Sequence, residues 1–254
     1  MSKGRNDLAI WLVRKEGEPL ALELAEALQA QVFKPWLSDK KAIEQFREHF
    51  ASFSKWLFIG TTGIASRYLQ GLLQDKKQDP CLVVLDEGCG FAVSLAGGHE
   101  GGGNALAYKV AALVQAVPVV TTASESIKPL VVGIGCRKGV AADTIEAAVN
   151  KALAGRSLQE VREFATIDIK AQEPGLLELS ARHDIPLRIF KQEDIAARQW
   201  STRPSSHVLE TVGVDGVCEP CALMASARGS LLVEKCTPVK GVAIAIVEDR
   251  RRKP

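Results

Sequence analysis

The chain has 254 residues, 46% of them hydrophobic and 24% charged, which excludes a disordered or fibrous protein and suits two domains with separate cores. Formal net charge is only +2, so a nucleic-acid footprint is not expected. No apolar run approaches membrane-spanning length, and the basic ending Arg250, Arg251, Arg252, Lys253 reads as a solvated tail.

Leu8–Val13 is an apolar run followed at once by Arg14, Lys15 and Glu16, a strand too short for a signal-peptide core. The six cysteines are therefore expected as reduced thiols in a cytoplasm. Leu20, Leu24, Ala27 and Leu28 fall on one face of a helix. Ala42–Phe53, Ile64–Leu73 and Asn104–Val114 are predicted as further helices. Trp56–Ile59, Cys81–Leu85 and Val117–Val120 read as buried strands between them. Phe91–Leu95 is a strand reached from Leu85 through the turn residues Asp86, Glu87, Gly88 and Gly90, as in a hairpin.

Thr121–Pro129 is polar, rich in Ser and Thr, and ends in proline, so a boundary is expected there: one domain over residues 1–123, a second over 129–254. The pattern then restarts with a strand at Leu130–Ile134 and a helix bearing Ile145, Ala148, Val149, Ala152 and Leu153 on one face. Ser157 and Glu160 have capping-box spacing for another helix. Strands are predicted at Ala165–Ile169, Leu187–Phe190, Leu231–Glu234 and Val242–Val247. Helices are predicted at Gly175–Arg182, Gln192–Arg198 and Val217–Ala227. Strands alternating with helices predict an α/β fold: two α/β domains, each with a central, mostly parallel sheet flanked by helices.

Ligands of such sheets bind at the carboxyl ends of strands. Three glycine-bearing loops are expected there. The first is Gly60-Thr61-Thr62-Gly63, leading to a helix with Arg67. The second runs from Ala96 to Asn104, with five glycines between Gly97 and Gly103 and with Asn104 as the expected helix cap. The third runs from Gly133 to Gly139 and carries Arg137 and Lys138. Helix N-termini offer unpaired N–H groups and partial positive charge, which suits carboxylates or phosphates. His99, one of four histidines, lacks apolar neighbours in its loop and is a candidate base, with Glu100 beside it. Asp86 and Glu87 are expected to serve a turn. Asp168, Lys170, Glu173 and Pro174 form a polar cluster before a helix, where Lys170 suits an anion and Glu173 either a proton or the helix end.

Two motifs admit other readings. Gly133-Ile-Gly-Cys-Arg-Lys-Gly139 has the outline of a dinucleotide loop, but Lys138 stands where the third glycine belongs and no acidic residue ends a strand about twenty residues on. Cys218-Glu-Pro-Cys221 with His207 and Cys236 could form a zinc site, or alone a redox pair. It opens an apolar helix and has no second closely spaced pair, so buried thiols and no metal are expected.

Asp75-Lys-Lys-Gln-Asp-Pro80, Val83–Glu87, Ser94-Leu-Ala-Gly-Gly-His-Glu-Gly-Gly-Gly-Asn104 and Thr121-Thr122 resemble the N-terminal half of the CbiG family, the cobalt-precorrin-5A hydrolases of anaerobic cobalamin biosynthesis. Gly133–Gly139, Thr166-Ile-Asp-Ile-Lys-Ala-Gln-Glu-Pro-Gly-Leu177 and Val217-Cys-Glu-Pro220 resemble its C-terminal half, shared with CobE proteins. Relatives often carry a middle segment that is short here, and Cys221 commonly aligns with a small apolar residue. The resemblance implies a cobalt-bearing polycarboxylate macrocycle as substrate. Its δ-lactone is opened by water and a two-carbon fragment leaves as acetaldehyde.

On that basis His99 is the expected base, with Glu100, and the Gly101–Gly103 amides are the expected oxyanion donors. Thr62, Gly63, Gly98, Gly101, Gly102, Gly103, Asn104 and Glu173 are expected at the substrate, with Arg67, Arg137, Lys138 and Lys170 on its carboxylates. No cofactor of the protein's own is implied, since cobalt is carried by the substrate. The resemblance leaves open a homodimer or contact with neighbouring pathway enzymes, and no nucleic-acid or membrane partner is expected. A non-catalytic tetrapyrrole-binding or delivery protein and a nucleotide-dependent oxidoreductase are the alternatives.

Overall fold

The computed structural model describes residues 6–197, 209–210, 213–214, 216–226 and 228–249. Arg198, His207, Ala227 and the basic ending Arg250–Lys253 lie outside the described residues. The chain clusters into two compact units, residues 1–122 and 123–254. Both are α/β, with mixed, mostly parallel sheets flanked by helices. No described helix is long and apolar enough to cross a membrane.

In the first unit β1 (Asn6–Leu12), β2 (Gln31–Phe33), β3 (Phe53–Ile59), β4 (Cys81–Leu85), β5 (Phe91–Ala96) and β6 (Val117–Val119) form one sheet in the order β2-β1-β3-β4-β5-β6. The period of two along each strand divides the core. Leu8, Ile10, Leu12, Leu57, Ile59, Cys81, Val83 and Leu85 face α1 (Glu18–Leu28) and α4 (Gly103–Val114). Ala9, Trp11, Trp56, Phe58, Leu82 and Val84 face α2 (Ala42–Phe50) and α3 (Thr62–Leu69). The second face is aromatic: the Trp11 ring meets Phe46 edge-on at 5.1 Å and Trp56 at 6.4 Å.

β1 to β4 run parallel, whereas β5 pairs antiparallel with β4 and β6 parallel with β5. The β4–β5 hairpin is closed by Asp86, whose carboxylate accepts from Gly90 N at 3.2 Å and Phe91 N at 2.6 Å. The turn role expected for Asp86 is therefore seen directly, and Glu87 pairs with Arg14 at 3.3 Å.

In the second unit the order is β10-β11-β7-β8-β9, formed by β7 (Leu130–Cys136), β8 (Val161–Ile167), β9 (Leu187–Phe190), β10 (Gly229–Val239) and β11 (Val242–Asp249). β7, β8 and β9 are parallel; β11 and β10 are added as an antiparallel hairpin on the β7 edge. The unit begins with a single helical turn, α5 (Ala123–Ser126), inside the stretch where the boundary was expected. α6 (Ala142–Leu153) and α7 (Pro174–His183) cover one face. α8 (Gln192–Ala196) and α9 (Cys218–Ala225) cover the other. The Ser157–Glu160 capping box forms as its spacing predicts, yet it caps a 3-10 turn that leads into β8 instead of a helix.

Several boundaries differ from those predicted, among them β8, which runs Val161–Ile167 instead of Ala165–Ile169. Phe46, Phe50 and Phe53 continue a helical spacing, but α2 stops at Phe50, Ser52 N bonds back to His49 O at 2.9 Å, and Phe53 opens β3. α3 ends at Leu69, short of the predicted Leu73, and β10 runs well beyond Leu231–Glu234. Gly133 and Gly135 lie inside β7, not in a loop. A methyl group at Gly133 would sit 1.8 Å from the Cys218 carbonyl oxygen, so this glycine is what lets α9 lie on the strand. The dinucleotide-loop outline thus has a packing origin.

The C-terminal end of α9 is held by two guanidinium groups: Arg162 and Arg188 each reach the Ala225 carbonyl at 3.4 Å. Arg162 also pairs with the buried Glu163 and Asp249. Gly133→Ala forces the helix off the strand and should cost about 3 kcal/mol. Urea unfolding measures this, and a loss under ~0.5 kcal/mol would contradict the packing role.

Candidate functional site

The glycine loop leaves β5 at Ala96. Gly97 adopts φ +63°, and a methyl there would lie 2.8 Å from Cys81 Cα, so the loop presses directly on the first residue of β4. It then folds on itself: Gly102 N donates to His99 O at 3.3 Å, Gly103 N to Gly97 O at 3.0 Å and Asn104 N to Gly98 O at 2.8 Å. Gly102, at φ +78°, takes the N-cap position of α4 with no capping side chain. Asn104 is therefore not the cap. It sits in the first turn, and its side-chain amide donates to Thr122 Oγ1 at 2.9 Å.

These bonds correct the expected oxyanion set. The Gly102 and Gly103 amides are already donated within the loop, while those of Gly98, Glu100 and Gly101 have no acceptor among the described residues. His99 and Glu100 are exposed. The Glu100 carboxylate takes the Lys76 ammonium at 3.0 Å, which lowers its pKa and makes it a weaker base than expected.

Strand direction separates two loops that were expected to gather. Because β5 runs against β4, with Ala96 beside Leu82, its carboxyl end lies at the edge where β1, β3 and β4 begin. The Gly60–Gly63 loop lies at the other edge, where Gly60 N bonds Leu85 O at 2.9 Å. There Thr61 caps α3 through Ile64 N at 3.3 Å, and Thr62 and Gly63 are exposed in its first turn. Arg67 is in the last turn of α3, about 7 Å along the axis from Thr62. It is exposed and forms no ion pair among the described residues, but it does not belong to the Gly60–Gly63 loop.

Two polar residues near the glycine loop, Lys55 and Ser94, are given no role from the sequence. Lys55 is the register partner of Cys81 and donates to Asp7 Oδ1 at 3.0 Å; a methyl at Gly102 would lie 3.7 Å from its Cε. Ser94 Oγ is buried, without a hydrogen-bond partner among the described residues, 3.0 Å from where a methyl at Gly103 would be. Only strand register reveals either, since both otherwise read as ordinary residues of apolar strands.

In the second unit Arg137, Lys138 and Gly139 follow the carboxyl end of β7. Arg137 N donates to Gly241 O at 2.9 Å, and both basic side chains are exposed with no ion pair among the described residues. Glu173 is not open to a ligand as expected. It is 6% exposed and accepts from Gly139 N at 2.6 Å and from Lys170 Nζ at 3.1 Å. Lys170 is thereby committed to an internal ion pair, with its side chain 16% exposed, and is not a free anion-binding cation.

Cys218 and Cys221 are buried. Burial raises the Cys218 thiol to about 12 and Cys221 well above its ordinary value, which makes both poor nucleophiles. No group of three His, Cys, Asp or Glu suited to a metal occurs among the described residues. The neighbouring Glu219, 1% exposed, accepts from Lys235 N at 2.7 Å and ties α9 to β10.

Residues 44–125 match the family described as Cobalamin synthesis G N-terminal, and residues 130–247 match Cobalamin synthesis G C-terminus. The chain is 24% identical to the cobalt-precorrin-5A hydrolase of Salmonella typhimurium over 90% of this chain and 91% of the relative. It is 22% identical to the cobalt-precorrin-5A hydrolase of Priestia megaterium over 96% of each. The Salmonella alignment spans 322 positions against a chain of 254 residues, so that relative has segments this chain lacks. Among solved structures, CobE, a protein from the cobalamin (vitamin B12) biosynthetic pathway, is 31% identical over 49% of this chain and 93% of its own, with a TM-score of 0.43.

Burial pushes the Glu173 carboxyl up, but the Gly139 N–H bond, the Lys170 ammonium and the Lys138 charge outweigh it and lower the pKa from the ordinary 4.5. A carboxylate lowered on folding stabilises the native state fully above its unfolded pKa and loses that contribution as pH falls through the folded value. The stability difference between wild type and Glu173→Gln should be constant above pH ~5.5 and shrink below ~4.5. Urea unfolding across pH 3 to 7 measures it, and a constant difference throughout would show that the ion pair contributes nothing.

Proposed function

The chain belongs to the CbiG/CobE family of cobalamin biosynthesis, and we propose that it is a cobalt-precorrin-5A hydrolase. The reaction opens the ring δ-lactone with water and releases acetaldehyde, giving cobalt-precorrin-5B. The observation that carries this reading is the exposed His99 imidazole, in a loop whose Gly98, Glu100 and Gly101 amides have no acceptor among the described residues. A base for water and preorganised donors for an oxyanion are what ester opening requires.

His99 takes a proton from water as its oxygen attacks the lactone carbonyl. The carbonyl oxygen gains negative charge, which the Glu100 and Gly101 amides stabilise. Collapse breaks the carbonyl–oxygen bond to C20 and leaves a ring acetate carboxylate with a C20 hydroxyl. That hydroxyl loses its proton and becomes a carbonyl as the carbon–carbon bond to the macrocycle breaks. The two-carbon fragment departs as acetaldehyde, and the macrocycle carbon takes up a proton. Arg67 in the first unit is suited to a peripheral carboxylate, as are Arg137 and Lys138 within the second, and Thr62, Gly63 and Asn104 have no assigned chemical step.

Incubation with cobalt-precorrin-5A should release acetaldehyde. His99→Ala should slow that release about 100-fold, with substrate binding retained. Unchanged turnover would remove His99 from the mechanism. Binding of the macrocycle by wild type with no acetaldehyde would favour a tetrapyrrole-binding or delivery protein instead.

A further inference from the structure

Glu173 is one of three buried glutamates among the described residues, with Glu163 and Glu219, that this mechanism does not use. A charge at 6% exposure is costly unless it is paired, and its two donors come from different places. Lys170 lies three residues earlier, on the 3-10 turn that follows β8. Gly139 lies 34 residues earlier, at the end of the loop that follows β7. Gly139 has φ +76° and open space around its missing side chain, so the glycine is needed for backbone conformation and not for close packing.

That conformation, with its N–H on the Glu173 carboxylate, fixes one end of the Arg137–Gly139 segment. The other end is fixed by Arg137 N on Gly241 O at 2.9 Å, in the β10–β11 turn. Arg137 and Lys138 are thus a pair of exposed basic side chains on a backbone clamped at both sides. The cost of ordering a loop before it binds is met in the folded protein, which favours affinity.

We infer that Glu173 is a positioning residue: by gripping the Gly139 amide it presents Arg137 and Lys138 to the carboxylates of an anionic ligand, and it touches no ligand itself. The inference rests on the proposed function only for the ligand's identity. Lys170 is the counter-charge that keeps Glu173 ionised within the fold. Glutamine retains an acceptor for Gly139, whereas alanine leaves the amide without one.

The test uses the full chain as wild type, Glu173→Gln, Glu173→Ala, Lys138→Ala and the Glu173→Ala/Lys138→Ala double variant. Hydrogen exchange should quicken at the Gly139 amide by about tenfold or more in Glu173→Ala and stay near wild type in Glu173→Gln. With cobalt-precorrin-5A, Glu173→Ala should raise both Kd and KM about tenfold with kcat within about twofold, and Glu173→Gln should remain close to wild type. The double variant should be little worse than Lys138→Ala alone, because Glu173 acts through that loop.

Multiplicative effects of the two substitutions, or an unchanged Kd in Glu173→Ala, would overturn the inference even if wild type releases acetaldehyde. If wild type binds without releasing acetaldehyde, the hydrolase reading fails, while the Kd cycle still decides the positioning role. If wild type does not bind the macrocycle, both fall. Should Glu173→Ala not fold, Glu173→Asp, whose shorter side chain draws the acceptor away from the Gly139 amide, takes its place: faster Gly139 exchange with a raised Kd supports the role, and either one at the wild-type value overturns it.

Discussion

Asp86 turns the chain at the end of β4, where its carboxylate takes two successive backbone donors, Gly90 N and Phe91 N. Four strands before it run one way, and the two after it run the other. That reversal carries the β5 end, the glycine loop and the start of α4 to the edge where the parallel strands begin. β6, parallel to β5, ends at the same edge, which is why Thr122 is within reach of Asn104. A parallel β5 would have put His99 beside the Gly60–Gly63 loop. The rule that ligands gather at carboxyl ends of strands holds for each strand singly, but in a mixed sheet it names both edges.

The two units use charge differently. Near the glycine loop the ion pairs are exposed: Lys76 with Glu100, and Lys55 with Asp7 at 77% side-chain exposure. Such pairs contribute at most about 1 kcal/mol and exchange readily with a charged ligand. In the second unit Glu173 and the Arg162–Glu163–Asp249 group are buried, where losing one partner leaves a charge without compensation. The first arrangement leaves its cations available. The second makes Lys170 and Arg162 fixed parts of the scaffold, while Arg137 and Lys138 stay exposed.

Much of the architecture was legible because hydrophobic period and length carry it. Cys81–Leu85 and Leu187–Phe190 coincide with β4 and β9, and the alternation in Leu8–Val13 divides the two faces of the first core. The three-residue β2 was too short to signal itself. Phe53 was misplaced because aromatic spacing does not register the turn at Ser52. Gly133 resembled a ligand loop because sequence records the absence of a side chain and not what fills the space, here the Cys218 carbonyl. The engagement of Lys170 by Glu173 follows from their spacing only once the chain between them is known to turn, with Glu173 N bonded to Lys170 O at 3.1 Å. The reversal at β5 did carry a local signal, the turn residues Asp86 to Gly90 of a hairpin, but which loops it separates shows only once the strand order is known.

The glycine loop shows how one set of bonds can remove some donors from chemistry and prepare others. Oxyanion stabilisation depends on dipoles that do not reorganise as charge develops. A segment with five glycines in seven residues otherwise has the most freedom to reorganise. The bonds from Gly102, Gly103 and Asn104 to carbonyls within residues 97–99 remove that freedom, and the contact of Gly97 with Cys81 anchors the loop to the sheet. Glu100 and Gly101 sit between the bonded positions, and their amides gain a fixed direction without spending their own hydrogen bonds. A side chain at Gly97 would break the anchor, one at Gly103 would crowd the Ala96 carbonyl and Ser94 Oγ at 3.0 Å, and one at Gly101 would meet the Gly97 carbonyl at 2.7 Å. The glycines are thus read best as the means by which a short loop folds tightly enough to hold two amides still beside an imidazole.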